Sequence, residues 1–286
     1  MGPDRQIVNA DQVEAWGGEE GQHWVSYADA YDAMSAPFNG GLLDAAAIAT
    51  GDEVLDVGCG CGATTLEAAR RARDGFALGI DLSEPMLAVA RRRARDLALT
   101  NVDFVCGDVQ VHPLEPARHD VAISRFGVMF FADPVMAFTN IGRSLKPGGG
   151  IAFVCWQEML ANEWIALPGM ALAEHVPLPE LGEAGGPGPF SLADPPRIEA
   201  ILDAAGFDDS RVEERRALLK LPGSTPGEFE LFLRALPVVQ SILADADPET
   251  AERAVRAVLA VLEPRFGSEG LHLEGAAWLV TAARRP

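Results

Sequence analysis

Short apolar, β-rich segments alternate with amphipathic segments between residues 53 and 156. The β-rich segments read EVLDVG, FALGID, VDFVCG, DVAISR and GIAFVCW. In the segments between them, apolar residues recur at helical spacing, which predicts helices at about 63–73, 85–97 and 134–145. Strands that alternate with helices in this way indicate a parallel sheet covered by helices on both faces.

The regular alternation stops after Trp156. A proline- and glycine-rich stretch over 177–196 predicts a long loop or insertion, and a helix is expected to start near its end, at Asp194 and Pro195. Two further strands are expected at about 212–221 and 276–283. The fold class is therefore α/β, with a doubly wound, mostly parallel sheet of seven strands.

Residues 223–270, between the last two predicted strands, are helical in pattern. Ala254, Val255, Val258 and Leu262 lie on one apolar face of a predicted helix in this region. Such a face either packs on the core or forms a lid over a pocket, and both alternatives stay open.

The charge balance argues against nucleic acid as a ligand. The 42 acidic and 23 basic residues give a formal charge of −19, so the average surface repels a phosphate backbone. Neither a signal peptide nor an apolar run of about 18 residues is present, so no membrane span is expected. The pattern does not reveal the oligomeric state.

The four cysteines are expected to be buried free thiols in a reducing, cytoplasmic setting. They are Cys59, Cys61, Cys106 and Cys155. No set of Cys, His and carboxylate residues has the spacing of a metal site, so no metal is expected.

Candidate binding residues follow the first three predicted strands. Asp56 ends the first strand, and Gly58, Gly60 and Gly62 follow it in the turn that opens a helix. Glycines allow a tight turn and close approach of a ligand to backbone N–H groups, as a nucleotide-like cofactor requires. The spacing differs from that of dinucleotide sites, and glycines also occur in such turns for packing alone.

Two further carboxylates strengthen this interpretation. Asp81 ends the second strand, where a carboxylate can accept both hydrogen bonds of a ribose diol, and Asp108 follows the third strand. In an open α/β sheet, ligands bind at this edge.

The ordered series VLDVGCGCG, GIDLS, GDVQ, DVAISRFGVMFF and LKPGG resembles the motifs of Rossmann-like, class I S-adenosylmethionine-dependent methyltransferases. The resemblance is to the subgroup that includes ubiquinone and menaquinone biosynthesis enzymes, and it covers residues 53–156. It implies S-adenosylmethionine as cofactor, with Asp56, Gly58, Cys59, Gly60 and Gly62 around its methionine moiety.

The same resemblance implies roles at the next two strands. Asp81 would bind the ribose hydroxyls and Leu82 would lie against adenine. Asp108 would accept from the adenine amino group, with Val109 beside the ring. As alternatives, Asp56 only caps the turn and Asp108 is a solvated turn residue.

At the end of the fourth strand, Ser124 and Arg125 would line the space near the sulfonium, although Arg125 is equally consistent with a structural ion pair. Trp24, in a helical segment with Tyr27 and Tyr31, would be a pocket wall, because the family's N-terminal segment often covers the cofactor. Core packing is the alternative for these aromatic residues.

The resemblance also implies a domain organisation. Residues 1–50 form a helical segment over the cofactor site and residues 51–286 the methyltransferase domain. Its insertions 157–196 and 223–270 are expected to form a helical cap over the acceptor.

The acceptor is expected to be a small or medium hydrophobic molecule methylated on oxygen or carbon by in-line displacement. The residues expected around it are Trp24, Phe38, Trp156, Trp164, Met170, Phe190, Phe229 and Phe232. His175 is the candidate general base. His112 and His119 are expected at the opposite edge of the sheet from the cofactor.

Two other functions remain as alternatives. A protein that binds the cofactor without catalysis would carry the same motifs. An NAD-dependent oxidoreductase would share the glycine turn and the acidic residue of the second strand, but has no particular need for Asp108 and LKPGG.

Overall fold

The computed structural model describes residues 8–178 and 186–286. The strands in these ranges are β1 Glu53–Val57, β2 Phe76–Asp81, β3 Val102–Cys106, β4 His119–Arg125, β5 Leu145–Trp156, β6 Phe207–Lys220, β7 Phe266–Gly267 and β8 Gly270–Arg284. The helices are α1 Ala10–Gly17, α2 Glu19–Ser26, α3 Ala28–Ala45, α4 Ala63–Arg71, α5 Glu84–Asp96, α6 Pro134–Ser144, α7 Glu163–Ala173, α8 Pro195–Ala204, α9 Pro226–Ala235, α10 Pro237–Leu243 and α11 Pro248–Leu262.

The main sheet has the strand order β3-β2-β1-β4-β5-β8-β6. Strands β1 to β5 are parallel, and β8 lies antiparallel between β5 and β6. The expectation of a doubly wound, mostly parallel α/β sheet is confirmed. The two-residue strand β7 adds a short antiparallel pairing to β8.

Burial distinguishes the central strands from the edge strand. Val54 and Leu55 on β1 point to opposite faces of the sheet, yet are only 1% and 0% exposed, because helices cover both faces. Strand β6 instead carries a run of charged residues, DDSRVEERR, and is largely exposed. Charged side chains on an edge strand disfavour pairing with another chain.

The strand order changes direction between β1 and β4. The chain winds from β1 outward to β3, and then returns to place β4 on the other side of β1. At such a switch point the two adjacent connections leave in opposite directions, which opens a crevice at the carboxyl ends of the strands.

The first three helices of the chain, α1 to α3, cover this crevice. Helix α2 packs on α5, and α3 packs on β4, β5 and β6. No helix in the described ranges is both long and apolar enough to cross a membrane.

The two insertions occupy different places. Within 157–196, α7 spans Glu163–Ala173, ahead of the stretch predicted as a loop, and residues 179–185 lie outside the described ranges. Within 223–270, α11 packs on α7, and Ala254, Val255 and Val258 are each 0% exposed. The interpretation of this apolar face as core packing is confirmed.

Candidate functional site

A cavity of about 220 Å³ lies at the carboxyl ends of the strands on both sides of the switch point. It runs from the glycine turn after β1 to a group of aromatic side chains after β4 and β5. Nine of the residues expected at the cofactor line it: Trp24, Gly58, Cys59, Gly60, Asp81, Leu82, Asp108, Val109 and Arg125.

The glycine turn has a conformation that requires glycine. Gly58, Gly60 and Gly62 have φ angles of +66°, +52° and +83°, which L-residues with a side chain rarely adopt. A Cβ atom on Gly58 would lie 2.7 Å from the Cα atom of Gly127, after β4. The two backbones therefore meet across the switch point.

Asp81 is bound to the glycine turn. Its Oδ2 atom accepts a hydrogen bond from the Gly60 N–H at 2.8 Å, and Oδ1 accepts from the Ser83 N–H at 2.8 Å. Burial raises the pKa of this carboxyl group above its ordinary value, although the N–H donors oppose the rise. Each oxygen can accept a further hydrogen bond, so the residues present fit a ribose diol.

Asp108 connects the sheet to the N-terminal segment. Its Oδ2 atom accepts from the N–H groups of Val8 and Asn9 at 3.1 and 3.2 Å, and Oδ1 accepts from the Gln110 N–H at 3.0 Å. Asp108 is only 5% exposed, so the alternative that it is a solvated turn residue is wrong. The carboxylate anchors the start of α1 beside the cavity.

Asp56 lies behind the glycine turn and is fully buried. Its Oδ2 atom accepts from the hydroxyl groups of Thr64 and Thr65, at 2.7 and 2.6 Å, while Oδ1 has no hydrogen-bond partner. Burial, opposed by the two threonines, raises the pKa of Asp56 to about 6. Asp56 is not among the residues that line the cavity, and it holds the first turn of α4 in place.

Two other residues expected to bind the cofactor, Gly62 and Ser124, also are not among the residues that line the cavity. Gly62 is the N-cap of α4, where a Cβ would lie 2.7 Å from the Cβ of Ala90. Ser124 is 0% exposed and donates to the Val57 carbonyl at 2.6 Å, which ties β4 to β1. Gly62 and Ser124 support the wall of the cavity, and their contact with a cofactor stays a prediction.

Arg125 lines the cavity and is engaged in an ion pair. Its Nη2 atom lies 2.7 Å from Oδ1 of Asp32 on α3, and its Nη1 atom donates to Oδ1 of Asn39 at 3.1 Å. The other oxygen of Asp32 lies 2.7 Å from Nη1 of Arg93 on α5. The structural ion pair expected as an alternative for Arg125 is confirmed.

Aromatic residues of the N-terminal helices form one wall. Trp24 stacks on Tyr31 with ring centroids 3.8 Å apart, and Trp16 contacts Trp24 and Phe130 edge to face at 5.7 and 5.2 Å. The sequence pattern indicated Trp24 as a wall residue but not Trp16. The aromatic spacing around Trp24 was a local signal, whereas the contact with Phe130 depends on the tertiary fold.

A second aromatic group lies after β4 and β5. Phe126 stacks on Trp156 with centroids 3.9 Å apart, Trp164 lies 5.2 Å from Trp156, and Phe38 packs edge-on behind them. Insertion 157–196 contributes Trp164 and Pro189 to the lining.

Other residues expected around the acceptor lie elsewhere. Phe229 and Phe232 of α9 are buried but not in the cavity wall, and Met170 is 54% exposed. Among the described residues, insertion 223–270 contributes none to the lining.

The candidate histidine also lies away from the cavity. His175 is half-buried after α7 and is not among the described lining residues. His119 begins β4, as expected at the opposite edge. The expectation for His112 was wrong, because its ring lies beside Gly107 at the carboxyl end of β3: a Cβ on Gly107 would be 2.5 Å from its Nδ1 atom. In the described part of the chain, no three His, Cys, Asp or Glu residues are grouped to hold a metal ion.

Comparison with known proteins assigns the fold to a family. A family model described as "Methyltransferase domain" matches residues 54–149. Aklanonic acid methyltransferase DauC from Streptomyces sp. (strain C5) is 34% identical over 149 residues, which are 49% of this chain and 67% of that protein. The ubiquinone/menaquinone biosynthesis C-methyltransferase UbiE of Roseobacter denitrificans is 29% identical over 174 residues, 56% of this chain and 66% of that protein.

A solved structure shows the same fold. Phosphoethanolamine N-methyltransferase 2 of Haemonchus contortus, in complex with S-adenosyl-L-methionine, superposes with a TM-score of 0.59 at 21% identity. The superposition covers 100% of this chain and 61% of that one.

The matched motifs, the fold and the glycine turn beside Asp81 together define the class. The chain belongs to the class I S-adenosylmethionine-dependent methyltransferases. It is an enzyme that transfers a methyl group from S-adenosylmethionine, its cofactor, and its relatives act on small molecules.

Proposed function

We propose that the acceptor is an apolar molecule of small or medium size, without phosphate or carboxylate groups, that is methylated on oxygen or carbon. One observation carries the proposal: a single cavity joins the glycine turn and Asp81 to the aromatic group of Phe126, Trp156 and Trp164. An apolar pocket with few polar groups favours a ligand of the same character.

The residues next to the glycine turn would hold the cofactor. Gly58 to Cys61 would receive its methionine part, Asp81 would accept from its ribose hydroxyls, and Leu82 and Val109 would lie against its adenine ring. When bound, the cofactor supplies a methyl group that its positive sulfur has already activated. Trp16 and Trp24 of the N-terminal segment close this part of the cavity from solvent.

Asp108 has a different role in this proposal from the one that the family resemblance implied. Its oxygens already accept from Val8, Asn9 and Gln110, so its main contribution is to hold α1 over the adenine end. Contact with the adenine amino group is a second, weaker role that shares the same carboxylate.

The charges in the cavity wall argue against an acceptor that carries a phosphate or carboxylate group. Arg125 is the one basic side chain among the described lining residues, and Asp32 already pairs with it at 2.7 Å. A phosphate or carboxylate on the acceptor would have to replace Asp32 or remain unpaired in a largely apolar site, which is costly.

The protein's own contribution to methyl transfer is positioning and exclusion of water. Transfer from a sulfonium proceeds by in-line attack when the acceptor atom is held close to the methyl group, and such positioning lowers the barrier by several kcal/mol. The stacked rings of Phe126 and Trp156 offer a flat wall that orients a planar acceptor. Trp164 and Pro189, from insertion 157–196, complete the cover at that end.

The test is methyl transfer from isotope-labelled S-adenosylmethionine to matched acceptors, followed by mass spectrometry. The panel compares two apolar aromatic acceptors, 2-naphthol and a hydroxynaphthoquinone, with the charged acceptor phosphoethanolamine. We expect labelled product with the apolar phenols. Preferential methylation of phosphoethanolamine would refute the proposal, and the variant Trp156→Ala should raise the KM for the naphthol more than the KM for S-adenosylmethionine.

We further propose that the enzyme works in the cytoplasm, because Cys59, Cys61 and Cys155 are buried thiols that form no disulfide bond. A small-molecule acceptor, and not nucleic acid, is the proposed partner, since the formal charge of −19 repels a phosphate backbone.

A further inference from the structure

A buried histidine lies directly behind one of the tyrosines that line the cavity. The Nε2 atom of His23 on α2 is 2.9 Å from the hydroxyl oxygen of Tyr31 on α3. Tyr31 is a lining residue, and His23 is 8% exposed and lies outside the lining. The two side chains form a chain of polar atoms that leads away from the cavity.

The contact between His23 and Tyr31 suits proton transfer to the imidazole in one tautomer. When Nδ1 carries the ring proton, Nε2 has a free lone pair and accepts the hydrogen bond from the Tyr31 hydroxyl. The backbone of Ala235, at the end of α9, raises the pKa of His23.

His23 is neutral at physiological pH. Burial lowers its pKa below the ordinary value, and this effect exceeds the opposing effect of the Ala235 backbone. The rings of Tyr27 and Phe232 lie 4.8 and 5.7 Å from the imidazole, so the site is apolar apart from these hydrogen bonds. Burial also raises the pKa of Tyr31 strongly, so the tyrosine keeps its proton unless another group accepts it.

His23 also borders the protein surface, outside the cavity. An open surface groove is lined by His23 together with Gln22, Tyr27, Pro237 and Gln240. His23 therefore connects the Tyr31 hydroxyl to a surface that is separate from the cavity.

We infer that His23 and Tyr31 form a proton-accepting pair for the methyl acceptor. The inference rests on the proposed function, in that the acceptor carries an O–H or an acidic C–H group at the methylated atom. Its proton passes to the Tyr31 oxygen while the Tyr31 proton passes to Nε2 of His23. The electron pair that is left on the acceptor forms the new bond to the methyl carbon, and the sulfur keeps the pair of the broken carbon–sulfur bond.

The electrostatic effects of other charged groups near His23 and Tyr31 can be tested separately. On α2 these are Glu19 and Glu20, and Glu20 raises the pKa of Tyr31. On α9, Arg234 pairs with Glu230 and Glu252, and Glu228 accepts from the Ser224 N–H. Helix α10, PVVQSIL, carries no charged residue. Glu20→Gln is therefore the control for electrostatic effects.

The experiment compares two phenols that differ in acidity. Methylation of 2-naphthol needs a base, whereas 4-nitrophenol is already ionised at pH 8. We expect Tyr31→Phe and His23→Gln to lower kcat for 2-naphthol by about 10²-fold or more, the usual contribution of a general base, and to change the rate for 4-nitrophenol little. Equal losses with both phenols would show a structural role and overturn the inference.

The pH profile gives a second readout. With 2-naphthol, kcat of the wild type should fall as pH decreases through the pKa of His23, because the imidazolium cannot accept a proton. This limb should persist in Glu20→Gln and in His175→Gln, and be absent in His23→Gln. Persistence of the limb in His23→Gln would overturn the inference.

A third readout does not depend on turnover. Nitrogen-15 NMR of the histidine rings at pH 7 should show His23 as the neutral tautomer with the proton on Nδ1. A proton on Nε2 would overturn the inference whatever the acceptor is. If the wild type methylates neither phenol, the proposed acceptor class fails, while the tautomer still tests the pair.

Discussion

Oδ1 of Asp32 lies 2.7 Å from Nη2 of Arg125, so one carboxylate on α3 fixes the side chain at the end of β4. The same carboxylate binds Arg93 on α5 through its other oxygen. Three elements that are distant in sequence therefore meet at one side chain beside the cavity.

Replacing Asp32 by Asn should destabilise the protein. The side chains of Asp32 and Arg125 are 23% and 12% exposed, so the loss of the pair leaves a poorly solvated guanidinium, at a cost of about 1–3 kcal/mol. The matched control is Asp29→Asn: Asp29 also pairs with Arg93, but its side chain is 99% exposed, and we expect about 0.5 kcal/mol or less. Urea denaturation measures both, and equal effects would contradict the prediction.

Replacing Asp81 by Ala should weaken binding of S-adenosylmethionine by about 1–3 kcal/mol, because polar groups lose their partner. The same change releases the Gly60 N–H, so the glycine turn loosens as well. Isothermal titration calorimetry gives the affinity, with Asp96→Ala at the exposed end of α5 as the control. An unchanged affinity would remove Asp81 from the proposed ribose site.

Asp56 should make stability depend on pH. Its pKa in the folded protein is raised to about 6 from 3.8, so the folded state binds the proton more tightly than the unfolded chain does. The resulting stabilisation is complete below the unfolded pKa and is lost as pH rises through about 6. At about 1.4 kcal/mol per pKa unit, the loss is about 3 kcal/mol.

The variant Asp56→Asn isolates this effect. Relative to the wild type, it should gain stability between pH 4.5 and pH 7.5, since it has no charge to bury. Denaturant unfolding at these two pH values measures the difference. A constant difference between the two proteins would show that Asp56 does not titrate in this range.

Replacing Asp108 by Ala should loosen the start of α1. The Val8 and Asn9 N–H groups lose their acceptor, so their hydrogen exchange should accelerate while exchange in β1 stays unchanged. Mass spectrometry of peptides that contain residues 8–17 measures this, with Asp103→Ala on the exposed face of β3 as the control. Unchanged exchange in α1 would contradict the anchoring role.

The order of strands and helices from residue 53 to residue 156 was predictable from local sequence patterns. Hydrophobic periodicity and glycine turns are local signals, and helix α4 ends only two residues before its predicted end at Arg73. The location of Asp81 at the cavity was also predictable from its position at the end of β2, because the carboxyl ends of parallel strands meet at one edge of the sheet.

Contacts between elements that are distant in sequence depend on the tertiary structure. Nothing in the local pattern of residues 270–284 shows that β8 lies between β5 and β6, because strand order depends on how the whole chain packs. The same holds for the pairs Asp32 with Arg125 and His23 with Tyr31. Periodicity places a side chain on a face of its own helix, but its partner is set by the burial of that face against another element, and only the folded chain specifies that contact.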